Sequence, residues 1–489
     1  MATEIELKLR LDPKNVRKLL AHPRLADTPS TRQRLLNTYY DTPELSLRAR
    51  RIAMRFRKKG WEWLLTVKSA EPASGGLAVR SEWETAAVPG VFDFSHVDSA
   101  DLKDFLEQNR EQLTPVFTTD FRRQAWQLQC GESLVELALD RGHIAARQRR
   151  EPICEVELEL ISGRIEDIFE LTRQLQTHVN LHPAVASKAE RGYRLFLDEP
   201  PQAFRAKPLP INARQTPVEA FRTIALGCLE HFQRNENGLL VGGEAEFIHQ
   251  ARVALRRLRS AIKLFAPALP EDFVAAYGRS WQTLAGALGD ARNWDVFLEE
   301  TLPPIHAAFP HNQDLHRLRN EARRRVKAAR RAIQHLLALK EYPRLMVEFT
   351  AAVHALTDSV DIPLKRFAGE RIAAHTRSVR KMAERYDELD PEQRHIMRLR
   401  FKKLRYAMEF MSPLLPSSGM KTYLNTLASL QETLGLINDQ VTAEMLINEG
   451  LGNKSASAAH GWVAGRHELL VRQVPELLRA WLKADPEQQ

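Results

Sequence analysis

Cysteine is scarce in this sequence, and long apolar runs are missing. The chain has 489 residues but three cysteines, widely spaced at positions 130, 154 and 228. This excludes a disulfide framework and any cysteine-rich zinc site, and it is typical of a reducing compartment. No apolar run approaches the roughly 20 residues that span a bilayer, and charged residues interrupt the N-terminal segment where a signal peptide would be apolar. We therefore expect a cytoplasmic protein with no membrane partner.

The first part of the chain also lacks any excess of charge. The net charge is +9, yet residues 1–200 contain 30 basic and 30 acidic residues, whereas residues 201–489 contain 41 and 32. The length predicts two to four domains. A basic second part indicates a polyanionic partner, which could be nucleic acid, polyphosphate or an acidic protein.

What the N-terminus does contain is a stretch, Glu4-Ile5-Glu6-Leu7-Lys8, in which charged and apolar residues alternate. In a β-strand successive side chains point to opposite faces, so the three charged residues share one face. Two carboxylates can hold a hard divalent cation such as Mg²⁺, and a lysine can meet the anionic ligand of that cation. A strand with a solvated charged face explains the same residues and is the commoner case.

Alternating segments continue through residues 1–200 and predict about eight antiparallel strands, with helices at 101–110 and 165–179. Such a series is typical of a sandwich or a barrel. Acidic residues concentrate on the first, sixth and last strands, and basic residues on those between. A closed barrel with a charged interior would use this segregation, and eight strands leave room for one small ligand. The later predicted strands are 52–58, 62–68, 79–86, 119–129, 133–140, 143–149 and 153–161.

The ordered set of motifs in residues 1–200 resembles the CYTH family, the triphosphate tunnel metalloenzymes. The resemblance implies an eight-stranded antiparallel tunnel that binds triphosphate compounds with Mg²⁺ or Mn²⁺. Activities in the family include inorganic triphosphatase, thiamine triphosphatase, RNA triphosphatase and adenylate cyclase. The matching residues are Glu4, Glu6 and Lys8, residues 39–43, Arg55 and Arg57, Lys68, residues 80–84, residues 155–159 and Lys188.

The resemblance implies a role for each charged residue of the tunnel. Phosphoryl transfer depends on positioning and on neutralising charge, so carboxylates would hold metal ions while arginines clamp phosphates. The sequence leaves open whether Arg122 or Arg123 faces the tunnel, and we take Arg122. The candidates are Glu4, Glu6, Glu155, Glu157, Glu159 and Asp140 for metal, Arg55, Arg57, Arg80, Arg122 and Arg191 for substrate, and Lys8, Lys68 and Lys188 for catalysis.

A proline-rich segment follows these motifs. Five prolines lie between residues 199 and 217, and proline prevents a helix interior or a central strand. We expect a tunnel domain at 1–199, a linker at 200–217 and a helical domain at 218–489. The predicted fold class is multidomain α+β, with an eight-stranded antiparallel barrel followed by a duplicated all-α helical bundle.

The helical part contains an internal repeat with a constant offset of 146 residues. The segment HQARVALRRLR at 249–259 recurs as HIMRLRFKKLR at 395–405, and the correspondence continues to Gly289 and Gly435. One unchanged offset over so long a stretch predicts two similar halves related by pseudo-symmetry.

Both copies of the repeat place basic residues along one helix face. A single charged face is usually just solvated, but two copies in the same register favour a shared anion-binding surface. The sequence has no HExxH motif, so we expect the histidines to contact phosphate or to make structural hydrogen bonds rather than to bind metal. The candidate residues are His249, Arg252, Arg256, Arg259, Lys263, His395, Arg398, Lys402 and Arg405.

This helical part resembles the CHAD domain, a helical domain often fused to CYTH. The resemblance implies two pseudo-symmetric bundles with a basic groove that binds inorganic polyphosphate. The matching residues are His249, Arg252, Arg256, Arg259, His395, Arg398, Lys403 and Arg405, with residues 288–293 and 434–439.

The two resemblances together imply a bacterial inorganic triphosphatase: metal-dependent hydrolysis of triphosphate to pyrophosphate and phosphate, with polyphosphate bound by the helical half. One alternative is a non-catalytic polyphosphate-binding protein. Another is a CYTH enzyme that acts on thiamine triphosphate or nucleotides, and nucleic acid stays open as a partner of the basic half. We expect Trp61, Trp63 and Trp83 to pack on the barrel exterior, which disfavours a tunnel that binds a base.

Overall fold

The chain divides into two units in a computed structural model, which describes residues 2–70, 74–358, 362–415, 420–451 and 457–484. The first unit comprises Met1–Gln202 and Ala338–Ala355, and the second comprises Ala203–Leu337 and Leu356–Gln489. Within the described ranges, no helix combines the length and the apolar character needed to cross a membrane.

Among its described residues the first unit has nine strands, eight of which close into an antiparallel barrel. They are β1 (Ala2–Leu11), β2 (Ser30–Asp41), β3 (Ile52–Lys59), β4 (Glu62–Ala70), β5 (Leu77–Ala86), β6 (Thr114–Cys130), β7 (Ser133–Ala146), β8 (Arg149–Ser162) and β9 (Leu181–Pro183). The order is β5-β4-β3-β2-β6-β7-β8-β1, and β1 also pairs with β5, which closes the ring. The predicted eight-stranded antiparallel barrel is confirmed.

Helices of the first unit surround this barrel. They are α1 (Val16–Leu20), α2 (Pro23–Ala26), α3 (Ser46–Ala49), α4 (Ala100–Asn109), α5 (Ile165–Gln176) and α6 (Lys188–Leu197). Alternation along β1 sends Leu7 and Leu9 outward into an apolar core with Phe169 of α5. Glu6 and Lys8 point the other way and line the barrel interior. The pleat therefore makes one strand serve both an outer core and a charged inner wall.

The number of strands predicted from the sequence is right, but only because two errors in the prediction cancel. It missed β2, and it split β7 into 133–140 and 143–149. Gly142 suggests a break in the sequence, but in the structure it pairs with Phe121 in the middle of a continuous strand. The inner face of β2 carries polar Asn37, whose side-chain amide donates to the Thr119 hydroxyl at 2.9 Å. A polar residue that is satisfied by the neighbouring strand removes the apolar signal that marks a strand.

We expect Gly142→Ala to lower the free energy of unfolding by about 2–3 kcal/mol, because overpacking against backbone cannot relax. A Cβ at Gly142 would lie 2.1 Å from the backbone oxygen of Asp120 and 2.4 Å from the Cα of Phe121. Urea titration measures the change. Gly286→Ala is the control, since that glycine has open space around it; equal stability of the two variants would contradict the expectation.

The remaining helices belong to the second half of the sequence. They are α7 (Pro217–Leu240), α8 (Ala245–Phe265), α9 (Glu271–Ser280), α10 (Gln282–Val296), α11 (Leu302–Ala308), α12 (Gln313–Ala338), α13 (Glu341–Ala355), α14 (Leu364–Ala383), α15 (Pro391–Met411), α16 (Met420–Leu451) and α17 (Ser457–Lys483). Helix α7 begins with a capping box in which Thr216 and Glu219 satisfy each other's backbone amides. Pro217 stands at the first turn of this helix, where its missing N–H costs nothing.

The 146-residue repeat appears directly in the helix bounds. Helices α8 and α15 both begin and end 146 residues apart, and the short 3₁₀ turns that follow them, Ala266–Ala268 and Ser412–Leu414, keep the same offset. Each of these two helices packs against the preceding long helix, α7 or α14. The repeat in the sequence therefore corresponds to a repeat in structure.

Helix α13 is the exception among the later helices, because it belongs to the barrel unit. Its Val347 is fully buried in the core around β1 and α5. The Arg344 guanidinium donates to the backbone oxygen of Gln176 at 3.0 Å, and the His354 ring stacks on Phe169. A division of the chain at the proline-rich linker would assign α13 to the helical domain, whereas in the structure it belongs to the barrel unit.

Candidate functional site

The barrel encloses a charged cavity of about 130 Å³. Carboxylates reach it from β1, β5, β7 and β8, and cationic side chains from β1, β3, β4, β6 and α6. The charged lining residues are Glu4, Glu6, Lys8, Arg55, Arg57, Lys68, Glu82, Arg123, Glu136, Glu157, Glu159 and Lys188. Nine of the fourteen residues that the sequence analysis assigned to the tunnel are among them.

Four of the other assigned residues do not line this cavity, and a fifth falls on a position whose side chain the structure does not describe. The side chain of Arg80 lies outside the described part of the structure. Arg122 is exposed, whereas Asp140, Glu155 and Arg191 lie one layer behind the lining, in contact with Lys188 or with one another. Sequence reasoning left out Glu82, Glu136 and Arg123, although the period-two pattern that selected their neighbours would also have selected the first two.

Strand register decides between Arg122 and Arg123 in favour of Arg123. In β6 Arg123 pairs with Asp140 of β7, whose side chain points inward, while Arg122 pairs with Arg141 on the outer face. The assignment of Arg122 to the tunnel is therefore corrected to Arg123. The Arg123 guanidinium makes a bidentate contact with Asp140, with both distances 2.8 Å, and also contacts Glu157. Burial opposes the charge, but Asp140 and Glu157 outweigh it and raise the pKa of Arg123.

The buried ammonium of Lys188 is surrounded by three carboxylates. Its Nζ lies 2.7 Å from Asp140, 2.5 Å from Glu155 and 2.7 Å from Glu157. Burial favours the neutral amine, yet these carboxylates raise the pKa of Lys188 well above its usual range. Oxygens of the same acidic cluster lie within 4.8 Å of one another and could hold a metal ion. Because Lys188, Arg123 and Arg191 together already neutralise these three carboxylates, a divalent cation has more to gain elsewhere in the cavity.

Arg191 supports the Lys188 cluster from behind. It donates to Glu155 at 3.0 Å and to Glu151 at 2.6 Å. These contacts make Arg191 a positioning residue for Glu155 rather than part of the cavity wall. Asp140 and Glu155 orient Lys188 in the same way.

On the other side of the cavity, Lys68 bridges two carboxylates. Its Nζ lies 2.7 Å from Glu4 and 2.9 Å from Glu82. Burial lowers the pKa of Lys68, but Glu4 and Glu82 raise it by more, so the lysine stays charged. Arg55 donates to the Tyr39 hydroxyl at 3.1 Å and lies 3.9 Å from Glu82.

Three carboxylates form a row across adjacent strands of the inner wall. Glu6 of β1 pairs with Glu159 of β8, which pairs with Glu136 of β7. Glu159 has no ion-pair partner among the described side chains, and burial followed by repulsion from Glu4, Glu136 and Glu6 raises the pKa of Glu159 to about 7.

This row has the chemistry of a site for a hard divalent cation. Carboxylate oxygens are the ligands that Mg²⁺ prefers, and a bound cation would offset the repulsion between Glu159 and the neighbouring carboxylates. The residues present therefore fit a metal ion at Glu4, Glu6, Glu136 and Glu159 better than at the lysine-filled cluster. Glu136 is the ligand candidate that the sequence analysis omitted.

The Tyr-Tyr-Asp-Thr-Pro segment at the end of β2 is structural. The carboxylate of buried Asp41 accepts hydrogen bonds from the backbone amides of Thr42, Leu47 and Arg48, and from the Tyr193 hydroxyl at 2.7 Å. Burial, followed by Asp41, raises the pKa of Tyr193. This bond fixes α6, the helix that carries Lys188, to the barrel.

The three tryptophans do not share one environment, although we expected all of them to pack on the barrel exterior. Trp83 is buried in an outer core and donates to Asp98 at 2.8 Å, and Trp63 packs at the edge of the same core. Trp61 is 98% exposed and packs against nothing that would bury it. None of the three is among the cavity-lining residues of the described structure.

A second cavity, of about 250 Å³, lies in the helical unit between the two repeats. Matched positions of α8 and α15 line it: Arg252 with Arg398, and Arg256 with Lys402. Matched positions of α10 and α16 complete it, and there Asp439 stands where the first copy has Asn293. We call these residues, with His249, Arg292 and Arg405, the basic groove.

Three of the predicted phosphate-binding residues lie outside the basic groove. Lys263 and His395 are exposed, and Arg259 is half-buried but does not line the cavity. The length of the stripe explains this outcome, because four helical turns are longer than the cavity. In α8 only the N-terminal part of the stripe, from His249 to Arg256, reaches inside, and in α15 only the part from Arg398 to Arg405. His395 does not mirror His249, which lines the groove and whose pKa is lowered by burial.

Charge in the basic groove is largely unneutralised. The described structure contains no ion pair to Arg252, Arg256, Arg398 or Lys402. Burial, followed by repulsion from Arg398, Arg256 and Arg252, lowers the pKa of Lys402 to about 7. Asp439 is the acidic residue nearest to this cluster, and burial raises its pKa despite the neighbouring cations. Such a site favours the binding of a polyanion.

Comparison with known proteins finds two families along the chain. Residues 2–193 match the CYTH domain family, and residues 223–448 match the CHAD domain family. An inorganic triphosphatase from Haemophilus influenzae is 33% identical over 208 residues, which are 40% of this chain and 55% of that protein. The chain thus spans about half the length of that curated relative.

Solved structures resemble each unit separately. The CHAD domain from the plant Ricinus communis is 33% identical with a TM-score of 0.48, and the match covers 58% of this chain and 96% of that one. A Hippeastrum protein described as an adenylyl cyclase with a dominant triphosphatase activity is 16% identical with a TM-score of 0.30, covering 39% of this chain and 95% of that one. By the two family matches, residues 2–193, which include the barrel, belong to the CYTH domain family, and residues 223–448, which contain the basic groove, belong to the CHAD domain family.

Proposed function

We propose that the barrel hydrolyses inorganic triphosphate to pyrophosphate and phosphate with a divalent metal, Mg²⁺ or Mn²⁺. The observation that carries the proposal is the charged cavity, in which Glu6, Glu136 and Glu159 form one row. Arginines and lysines line the remaining wall, where Lys68 and Lys188 are paired with carboxylates. A polyphosphate chain with its metal ion needs both kinds of surface side by side. The triphosphatase relative supports this class of activity.

Each cationic side chain of the cavity has a preorganised position. Arg55, Arg57 and Arg123 would donate to phosphate oxygens, and planar guanidinium groups suit such oxygens in bidentate geometry. Lys68 and Lys188 are held by carboxylates before substrate arrives, so little reorganisation is needed when phosphate oxygens approach.

The reaction breaks one phosphoanhydride bond. Water supplies the oxygen that forms the new bond to phosphorus, and the departing pyrophosphate takes the electron pair of the broken bond. Lys8, Lys188 and Arg123 are the cations available to stabilise negative charge on the phosphates at one end of the cavity. A metal ion held by Glu4, Glu6, Glu136 and Glu159 would supply Lewis-acid neutralisation and a more acidic bound water.

The size of the cavity favours an inorganic substrate. Its volume of about 130 Å³ is below the roughly 300 Å³ at which pockets for drug-sized ligands begin. The aromatic residues Tyr39 and Phe121 do line it, but Tyr39 stacks on Phe117 and Phe121 lies under Lys188. Their rings are therefore already engaged, which disfavours thiamine triphosphate or a nucleotide as the main substrate.

Phosphate release from tripolyphosphate tests the proposal. We expect release by the full chain with Mg²⁺ or Mn²⁺, loss of release with chelator, and a decrease of about 10³-fold in a Glu6→Gln/Glu159→Gln variant, since these carboxylates would hold the metal. Glu132→Gln, at an exposed turn, should retain the wild-type rate. A folded wild-type protein that releases no phosphate with either metal would overturn the proposed activity.

We also propose that the basic groove binds inorganic polyphosphate. Its support is the group of cations to which both repeats contribute, of which Arg252, Arg256, Arg398 and Lys402 have no ion pair in the described structure. A non-catalytic role in polyphosphate binding is compatible with the groove alone. Nucleic acid is a weaker candidate, because the cavity is enclosed by helices rather than spread along an open surface.

Removing one matched pair of arginines should weaken polyphosphate binding. We expect Arg252→Gln/Arg398→Gln to lower the affinity by about 100-fold, because hydrogen bonds to charged groups are worth about 1.5–3 kcal/mol each. Lys263→Gln/His395→Gln changes one residue of each basic stripe that lies outside the cavity, and the affinity should stay within about twofold. Titration calorimetry with polyphosphate of defined length, with RNA as competitor, measures both. Equal losses in the two variants would contradict a role for the groove.

A further inference from the structure

The environment of Lys402 combines two features that are usually found apart. It lines the basic groove, where arginines from both repeats create a site for a phosphate group. It is also a half-buried lysine with no carboxylate in salt-bridge contact among the described residues. Arg252 and Arg256 face it from α8, Arg398 precedes it by one turn on α15, and Asp439 faces it from α16.

The amine of Lys402 is a nucleophile at neutral pH. Burial and three neighbouring guanidinium groups lower the pKa of Lys402 to about 7, so a large fraction of it is free base, whereas an ordinary lysine with a pKa of about 10.4 is almost fully protonated. A lysine next to other cationic groups is one of the recognised routes to a reactive amine. His375 and Arg371 of α14 lie on the side of the neighbouring residue, Lys403.

We propose that Lys402 is an acylation site that reacts with acyl phosphates. The groove arginines would bind the phosphate group of the reagent, which places its acyl carbon near the free amine. Nitrogen attacks that carbon, the bond from carbon to the phosphate oxygen breaks, and inorganic phosphate leaves with the electron pair. The nitrogen loses one proton to water, and the products are an amide on Lys402 and free phosphate. No oxidant or further reactant is needed.

Acylation would change the groove in a definite direction. The amide is neutral at every pH. Lys402 could therefore no longer take up a proton, and with it a positive charge, when a polyanion binds in the groove. Where the groove binds polyphosphate, as proposed above, acylation would weaken that binding. This consequence rests on the proposed function, whereas the acylation itself does not.

The experiment treats the full chain with acetyl phosphate and locates acetyl groups by tandem mass spectrometry. Lys403 is the internal control, because it is exposed and adjacent on the same helix. We expect Lys402 to react about tenfold faster at pH 7.5, since its larger free-base fraction outweighs the lower nucleophilicity of a weaker base. The Lys402 rate should level off above about pH 8, where most of its amine is already the free base. Equal rates and equal pH profiles would overturn the proposal.

A second reagent separates phosphate docking from amine reactivity. The acetyl ester of N-hydroxysuccinimide carries no phosphate, so the preference for Lys402 over Lys403 should be smaller with it than with acetyl phosphate. Arg398→Gln should lower the acetyl phosphate rate at Lys402, and Lys263→Gln, outside the cavity, should leave it within about twofold. Thermal unfolding of each variant confirms that it is folded. A preference that is the same for both reagents would overturn the docking step.

Discussion

Arg123→Met is expected to lower kcat/KM for tripolyphosphate by about 10²- to 10³-fold, the usual cost of losing one preorganised donor. Arg123 lies inside the barrel against Asp140 and Glu157. Arg122→Met changes the adjacent residue in the same way, but that side chain is exposed on the outer face. We expect the Arg122 variant to keep its activity within about twofold. Phosphate release under metal-saturating conditions measures both.

The pair of variants tests placement rather than charge, because both remove one guanidinium from neighbouring positions of β6. Loss of activity in both would indicate damage to the strand, and circular dichroism would then show it. Loss in the Arg122 variant alone would mean that the register of β6 and β7 differs from the one described.

Lys188→Met is expected to lower the free energy of unfolding by about 3–5 kcal/mol, because removal of one partner leaves buried charges uncompensated. The Lys188 ammonium contacts three carboxylates, and the side chain of Asp140 is fully buried. Methionine has nearly the same length, so a cavity contributes little to the loss. Activity should fall as well, because Lys188 lines the tunnel.

The control for this variant is a lysine–carboxylate pair on the solvent-exposed surface of the protein. Lys14 contacts Asp12 at 2.8 Å, but their side chains are 78% and 46% exposed. We expect Lys14→Met to change stability by less than about 0.5 kcal/mol, as exposed pairs contribute little. Urea titration measures both variants. A Lys188 variant as stable as the Lys14 variant would show that Arg123 and Arg191 neutralise the cluster without the lysine.

Much of the architecture could be predicted from local pattern. The alternation in residues 4–8 assigned Glu6 and Lys8 to one face and Leu7 to the other, and the structure has them so. The constant offset of 146 residues located α8 and α15, whose bounds differ by that number. Such features depend on the period of a strand or a helix, and the residue types at nearby positions of the sequence reveal that period.

Pairing between distant strands could not be predicted in this way. The choice between Arg122 and Arg123 depends on which residue of β7 each one faces, and the sequence of β6 alone contains both alternatives. Gly142 marked a break in the pattern, whereas close packing against Asp120 makes it necessary inside a continuous strand. Both outcomes are set by contacts between residues far apart in the chain.

By itself, then, the sequence pattern determined the series of antiparallel strands, the helical repeat and the residue types of both sites, and the resemblance to the CYTH family chose a barrel over a sandwich. Only the tertiary structure decided which charges meet. Lys188 lines the cavity and also forms ion pairs with Asp140 and Glu155 behind it. Glu136 lies in one row with Glu6 and Glu159. The physical reason is that side-chain periodicity is local, whereas the closure of a barrel brings together strands whose separation in sequence carries no record of their register.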